Sequence, residues 1–244
     1  MDLEEFTEKG YGISEVHGHK GDILMNVTEE FIEGLVKRFH KVYPETEIRK
    51  KLEVERIIVP SQNGKRIVFA SEWNKQCHLS SLFLDGDFYL ALDGHTDFLS
   101  GCNGRGMFGI YDCANYRRFI AEKWLKNNKK LILLTTATES EFENHTKELK
   151  CLTEGIAYIR IFRSSTPNLD ELIKGKKGVV CLDYDIMCPE DVKRFRLDTT
   201  FNKLGGIGFN DLSRIMKDIL EKADVLTLFV TIPYISRNFL EELL

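Results

Sequence analysis

The chain has 244 residues, of which 43% are hydrophobic and 30% charged, and its formal net charge at pH 7 is −4. This composition is typical of a globular protein with a full hydrophobic core, and it excludes a largely disordered chain. The 34 basic and 38 acidic residues nearly balance, so the chain lacks the positive surplus of proteins that bind nucleic acid or an anionic membrane.

The first residues, MDLEEFTEKGYG, contain no basic region followed by an apolar run, so they do not resemble a signal peptide. No segment approaches the roughly 20 apolar residues that span a bilayer. The six cysteines form no CxxC pair, which disfavours a zinc ribbon or a thioredoxin-like site and favours reduced thiols. We therefore expect a cytoplasmic protein that binds neither nucleic acid nor a membrane.

Short β-rich segments alternate with stretches of helical periodicity along the chain. Helical spacing of apolar residues predicts helices over 28–43, 116–127 and 210–223. The alternation predicts an α/β fold with three layers, in which helices cover both faces of a mostly parallel sheet, and a single domain over residues 1–244. The predicted strands are, in chain order, 56–60, 66–70, 87–93, 130–135, 156–162, 178–183 and 225–231.

Segment 56–70 has a second interpretation. It contains Asn63-Gly64, a dipeptide that is typical of tight turns in β-hairpins. Its two β-rich runs would then be antiparallel neighbours instead of members of a parallel sheet.

Two of the predicted strands end in acidic motifs. FYLALD leads into Asp93-Gly94-His95-Thr96-Asp97, and GVVCLD leads into Asp183-Tyr184-Asp185. In open α/β sheets, ligands bind at the carboxyl ends of the strands. We therefore expect these side chains to meet at one edge of the sheet.

A cluster of four carboxylates and one imidazole requires a compensating positive charge, since like charges at close range repel. The hard, oxygen-rich donor set suits Mn²⁺, or Zn²⁺ or Fe²⁺ in a smaller site. The alternative is that each aspartate only caps a turn, as single aspartates at strand ends usually do. Four aspartates and a histidine in two motifs favour a metal site.

The two motifs also resemble those of a known family. DGHTD resembles the D-A-H-x-D motif of the arginase, agmatinase and histone-deacetylase superfamily, and CLDYDIMCP resembles its S-x-D-x-D-x-x-D-P motif. The resemblance extends over about 66–233 and is closest to the arginase-like branch that includes peptide arginases. It implies a parallel α/β sheet with a binuclear manganese site, in which a bridging hydroxide attacks a guanidinium or amide carbon. Members of the family are often oligomers, so a homo-oligomer is compatible with it.

The resemblance also implies a division of ligands between two ions. One ion would be bound by Asp93, His95, Asp183 and Asp185. The other would be bound by Asp93, Asp97 and Asp183, so Asp93 and Asp183 would bridge both ions.

The chain departs from the family pattern at several positions. The run Ser71-Glu72-Trp73-Asn74 places Trp73 where the family has a further histidine ligand, and an indole cannot bind a metal. The site would then hold one ion, as in the deacetylase branch, unless His78 replaces the missing ligand. Cys181 and Cys188 replace a serine and an aspartate of the second motif, and Val230 aligns with a substrate-binding glutamate.

Weaker candidates lie outside the two motifs. Asn103 and Arg105, in the glycine-rich segment after the first motif, would bind a substrate carboxylate, or they belong to an ordinary loop. His17 and His19 would supply a general base or a replacement ligand, or they lie on the surface.

The sequence therefore predicts a metal-dependent hydrolase that cleaves a C–N bond, with a guanidino group of a small molecule or a peptide as its target. Two alternatives stay open. One is deacylation of an amine at the same metal, and the other is a catalytically inactive member of the fold that binds a ligand.

Overall fold

The structure, a computed structural model, describes residues 7–16, 46, 65–70, 78, 81, 84–98, 116–147, 154–164, 167–197, 206–232 and 237–244. Seven strands of these residues form one sheet. They are β1 (Tyr11–Val16), β2 (Lys65–Ala70), β3 (Phe88–Asp93), β4 (Lys130–Thr135), β5 (Ile156–Arg160), β6 (Lys177–Asp183) and β7 (Asp224–Thr231).

The strands lie in the order β1-β2-β7-β6-β3-β4-β5, and each neighbouring pair is parallel. β6 is therefore the middle strand and β3 lies beside it. Phe88 pairs with Gly178 and Leu92 with Leu182, so the last residues of the two strands, Asp93 and Asp183, end level with each other.

Six helices accompany the strands in the described part of the chain. They are α1 (Tyr116–Lys126), α2 (Glu139–Thr146), α3 (Asp170–Ile173), α4 (Pro189–Arg194), α5 (Phe209–Lys222) and α6 (Arg237–Leu243). A 3₁₀ turn, Tyr184–Ile186, directly follows β6. Among these residues, no helix combines the length and the apolar composition that a bilayer crossing would require.

The two faces of the sheet are covered by different helices. Leu90, Leu92, Val180 and Leu182 belong to one continuous apolar cluster with α5 and α6. Side chains alternate between faces along a strand, so the residues between these four face the other way. On that second face the ring of Tyr89 lies 6.1 Å from the ring of Trp124 in α1, which places α1 there.

The fold class predicted from the sequence is confirmed, and most strand bounds agree within a residue. The strand predicted over 156–162 ends earlier, at Arg160. β1 was not predicted, and the helix 28–43 and the strand 56–60 lie outside the described residues. The hairpin alternative is wrong for β2, because both of its edges are hydrogen-bonded to parallel strands, β1 and β7.

Candidate metal centre

Both acidic strands end in the same local turn. The side chain of Asp93 accepts a hydrogen bond from the backbone N–H of His95 (2.7 Å), and that of Asp183 accepts one from the N–H of Asp185 (3.1 Å). An aspartate that bonds the N–H two residues ahead stops a strand and turns the chain. In each motif the turn places the residue two positions after the aspartate, His95 or Asp185, just beyond the strand end.

Asp93, His95 and Asp185 converge above these turns. One ligand atom from each of them lies within 4.8 Å of the other two. An imidazole nitrogen of His95, Nδ1, lies 2.5 Å from Oδ2 of Asp185 and 3.9 Å from Oδ1 of Asp93. We call these three residues the metal trio. Both carboxylates are buried, while about a third of the His95 side chain (31%) is exposed to solvent.

Gly94 allows the two motifs to touch. Its N–H donates to Oδ1 of Asp185 at 2.8 Å. A Cβ at position 94 would lie 2.7 Å from the carbonyl oxygen of Asp185, which is closer than real side chains approach. The glycine is therefore needed for this close approach of the two strand ends.

The trio changes the protonation of its histidine. Burial alone lowers the pKa of His95, but the hydrogen bond to Asp185 and the charges of Asp185, Asp93 and Asp97 outweigh burial and raise it to about 9. Without an ion, His95 therefore neutralises part of the negative charge of the trio. A bound cation would take over this role, because imidazole binds metals in its neutral form.

Asp97 does not belong to the trio. Its backbone has φ of 50°, a left-handed conformation that aspartate tolerates better than most residues. One of its carboxylate oxygens, Oδ2, lies 3.6 Å from Nη2 of Arg117. The same nitrogen donates to Oδ2 of Asp93 at 2.8 Å. Asp97 and Asp93 thus share a guanidinium group.

Asp183 is buried at the end of β6 and also lies outside the trio. In the ladder it is level with Thr231 of β7, whose buried hydroxyl has no hydrogen-bond partner among the described residues. Val230, by contrast, pairs with Leu182 and belongs to the apolar cluster on the opposite face. The side chain of β7 that shares the face of Asp183 is therefore Thr231, and not the valine that aligns with the family glutamate.

His78 lies in the core of the second face and is not part of the trio. Its Nδ1 is 3.1 Å from Sγ of Cys181 and 3.3 Å from the hydroxyl of Tyr89, and its ring lies 4.5 Å from that of Phe229. Cys181 lies two residues before Asp183 on β6, so His78 lies beside the strand and not among the three converging ligands. Burial raises the pKa of the Cys181 thiol to about 12, which keeps it protonated.

Cys188 occupies the position before α4 and contacts Asp191, with Sγ 3.3 Å from Oδ2. Burial raises its pKa as well. Four other residues from the sequence analysis, together with Trp73, lie outside the described part of the chain: His17, His19, Asn103 and Arg105.

The sequence analysis missed two groups near the trio. Arg117 is one of them. The sequence did contain a signal for it, because the spacing of Arg117, Ile120, Ala121 and Trp124 places all four on one buried helix face. The other is His145 of α2, whose Nδ1 lies 2.7 Å from the hydroxyl of Thr96. No motif includes His145, so only the folded chain shows that it lies near.

The donor atoms of the trio fit one divalent ion. Two carboxylates and an imidazole are hard or borderline ligands, and three protein ligands leave positions open for water and substrate. Four aspartates are buried at this edge of the sheet, and the cationic groups that contact them are Arg117 and His95. Since buried carboxylates are costly without compensating charge, a cation here would reduce the surplus of negative charge.

The parallel sheet, with acidic side chains at the ends of β3 and β6, makes this chain an α/β protein. Among solved structures it is similar to the arginase from Bacillus caldovelox, with a TM-score of 0.50 and 12% identity over 99% of this chain and 87% of that one. This likeness shows that the chain has the fold of that arginase, as the sequence analysis predicted.

Two further solved structures are similar at lower scores. The arginase from Bacillus subtilis matches 99% of this chain and 87% of its own, with 13% identity and a TM-score of 0.49. The formimidoylglutamase from the same species matches 91% of this chain and 67% of its own, with 10% identity and a TM-score of 0.47. No protein-family model matches the chain, and no curated protein matches it significantly.

Proposed function

We propose that the chain is a metal-dependent hydrolase that cleaves a C–N bond of a guanidino group, and that Asp93, His95 and Asp185 bind the ion. The main support is the convergence of their three ligand atoms within 4.8 Å at the carboxyl end of the sheet, where open α/β sheets bind ligands. Mn²⁺ is our first choice of ion, with Zn²⁺ or Fe²⁺ as alternatives. We expect the protein to act in the cytoplasm.

The charge of the site favours a cationic substrate. The buried aspartates outnumber the nearby cationic groups, and such an acidic site attracts a guanidinium over a neutral or anionic group. The substrate would be a small molecule or a peptide that carries this group.

The chain's own residues orient the site. The Gly94 N–H fixes Asp185, and Arg117 fixes Asp93. His95, which is partly exposed, gives up its proton when its nitrogen becomes a ligand. A divalent ion bound by these residues would supply Lewis acidity and would make water nucleophilic near neutral pH.

The test combines metal content with turnover. The protein is stripped with a chelator, reloaded with Mn²⁺ and dialysed, and bound metal is counted by elemental analysis. We expect bound metal at stoichiometric level and release of urea from free arginine, from a decarboxylated analogue or from an arginine-containing peptide. Asp185→Asn should lower the affinity for Mn²⁺ at least about 100-fold. Even residues that only hydrogen-bond to a metal ligand contribute roughly 10- to 100-fold to metal affinity.

The matched control is Asp85→Asn. Asp85 is exposed, and its side chain contacts Lys129 away from the trio. This variant should retain both metal and activity. Absence of stoichiometric metal in the unmodified protein, or equal metal binding by Asp185→Asn, would contradict the proposal.

Deacylation of an amine is the second candidate. It is favoured by the size of the trio, which suffices for one ion, the number that the deacetylase branch uses. The same substrate panel, extended with acylated amines, separates the two reactions because one releases urea and the other a carboxylic acid. Full metal occupancy without turnover of either class would instead indicate a binding protein.

A further inference from the structure

We propose that Arg117 permanently occupies the position of a second ion, so that the site binds one divalent metal and not two. This inference rests on the proposed metal site at the trio. It concerns the pair of carboxylates, Asp93 and Asp97, which in the family pattern would share the second ion with Asp183.

The two oxygens of Asp93 have different partners. Oδ1 accepts from the His95 N–H and faces the trio. Oδ2 accepts from Nη2 of Arg117 at 2.8 Å. Asp93 therefore has one oxygen for an ion in the trio, and its other oxygen is already paired with a cation.

Asp97 faces the same nitrogen. Nη2 of Arg117 lies 3.6 Å from Oδ2 of Asp97, so it stands beside both carboxylates. A metal shared by these two oxygens would have to bind each at about 2.0–2.2 Å. It would then compete for space with the guanidinium and repel its charge.

The guanidinium is fixed in place from several sides. Nη1 donates to the carbonyl of Thr96 at 2.8 Å and approaches that of His95 at 3.4 Å. Nη2 also donates to the hydroxyl of Tyr116 at 2.7 Å. The side chain is fully buried, and arginine stays protonated in proteins. An ion that displaced Arg117 would therefore leave a buried guanidinium without its hydrogen-bond partners, which is energetically costly.

The placement follows from α1. Arg117 lies in the first turn of that helix, on the face that also buries Ile120 and Trp124. When this face packs on the sheet, the arginine reaches the end of β3, whereas a smaller residue there would leave Asp93 and Asp97 without this cation. The arginine thus provides one positive charge where an ion would provide two.

The first experiment counts ions. Stripped protein is titrated with Mn²⁺ by calorimetry, and the loaded protein is studied by electron paramagnetic resonance. We expect one ion per chain and the spectrum of an isolated Mn²⁺. Two ions per chain with an exchange-coupled spectrum would overturn the inference but not the metal site, whereas no bound ion at all would refute the proposed function itself.

Three variants test the role of Arg117 directly. Arg117→Gln removes the charge and should admit a second ion, while Arg117→Lys retains a cation and should still bind one. A folded Arg117→Gln protein that binds only one ion would overturn the inference. If Arg117→Gln does not fold, Asp97→Asn still tests the inference. It should lower the Mn²⁺ affinity much less than the roughly 100-fold expected for Asp185→Asn, because Asp97 faces Arg117 and lies outside the trio. A loss as large as that of Asp185→Asn would show that Asp97 is a ligand and would also overturn it.

Discussion

Gly94 is the residue at which the two metal-binding motifs come closest. An added Cβ would lie 2.7 Å from the carbonyl oxygen of Asp185 and 3.0 Å from its Oδ1. Gly94→Ala should therefore push the strand ends apart. We expect the free energy of unfolding to fall by about 1–3 kcal/mol, as for other overpacked sites, and the Mn²⁺ affinity to fall at least about 10-fold. Urea unfolding and calorimetry measure the two effects.

Gly12→Ala provides the matched control, because a Cβ at Gly12 of β1 would meet its nearest neighbours at 3.9 Å, an ordinary contact. This variant should retain the metal affinity. Equal losses of affinity in both variants would show that the contact between Gly94 and Asp185 is not what positions the trio.

His95 links the stability of the ion-free protein to pH. Its pKa is raised from 6.5 to about 9 in the folded chain, so folding favours its protonated form. The resulting stabilisation is fully present below the unfolded pKa of about 6.5 and is lost as the pH rises through about 9. The free energy of unfolding should therefore fall across this window.

The measurement is urea unfolding of chelator-treated protein at several pH values between about 6 and 10. His95→Gln cannot titrate and should show a flatter dependence on pH. If the unmodified protein and this variant had parallel profiles, the interaction of His95 with Asp185 would not contribute to folding.

Among the helices, the N-terminus of α5 is capped by a side chain of the neighbouring helix α4. The N-cap of α5, Gly208, has no side chain to bond the first helical N–H groups. Asp191 of α4 accepts from the N–H of Phe209 at 2.7 Å instead. Asp191→Ala should therefore cost about 1–2 kcal/mol of stability, as the loss of an N-cap does.

Asp191→Ala should leave the number of bound ions unchanged, since the residue lies outside the trio. Asp85→Ala is the control, because this exposed side chain caps no helix, and thermal unfolding with metal analysis compares the two. A loss of stability in Asp85→Ala as large as in Asp191→Ala would contradict the capping role.

The strands in the middle of the sheet were predictable because they are buried on both faces. β4 and β7 read as apolar runs, and their predicted bounds lie within one residue of the observed ones. β1 differs because it lies at the edge of the sheet, where Gly12 and Ile13 are exposed. A strand that is exposed in this way has no need of a continuous apolar run, and YGISEV contains none.

The acidic turns were also predictable, because each follows its strand directly in the sequence. The pairing of Asp97 with Arg117 was not. It joins residues twenty positions apart, and it depends on how α1 docks on the second face of the sheet. Local patterns specify that the arginine lies on the buried side of the helix but not which carboxylate it reaches.

On the scale of the whole molecule, the trio joins the two strands at the centre of the sheet. Asp93 ends β3, and Asp185 follows β6, which is the middle strand. These two residues lie 92 positions apart in the sequence, so an ion held by both binds the native state selectively. Metal binding should therefore stabilise the global fold and not only a loop.

Mn²⁺ at 100 times its dissociation constant should raise the free energy of unfolding by about 2.7 kcal/mol, and a chelator should reverse the gain. Hydrogen exchange should slow at the ends of β3 and β6, because both strands contribute ligands. Asp185→Asn should show neither response, while Asp85→Asn should respond like the unmodified protein. If Asp185→Asn gained the same stability from Mn²⁺, the ion would be binding elsewhere on the chain, and the convergence of the two strand ends would have a purely structural role.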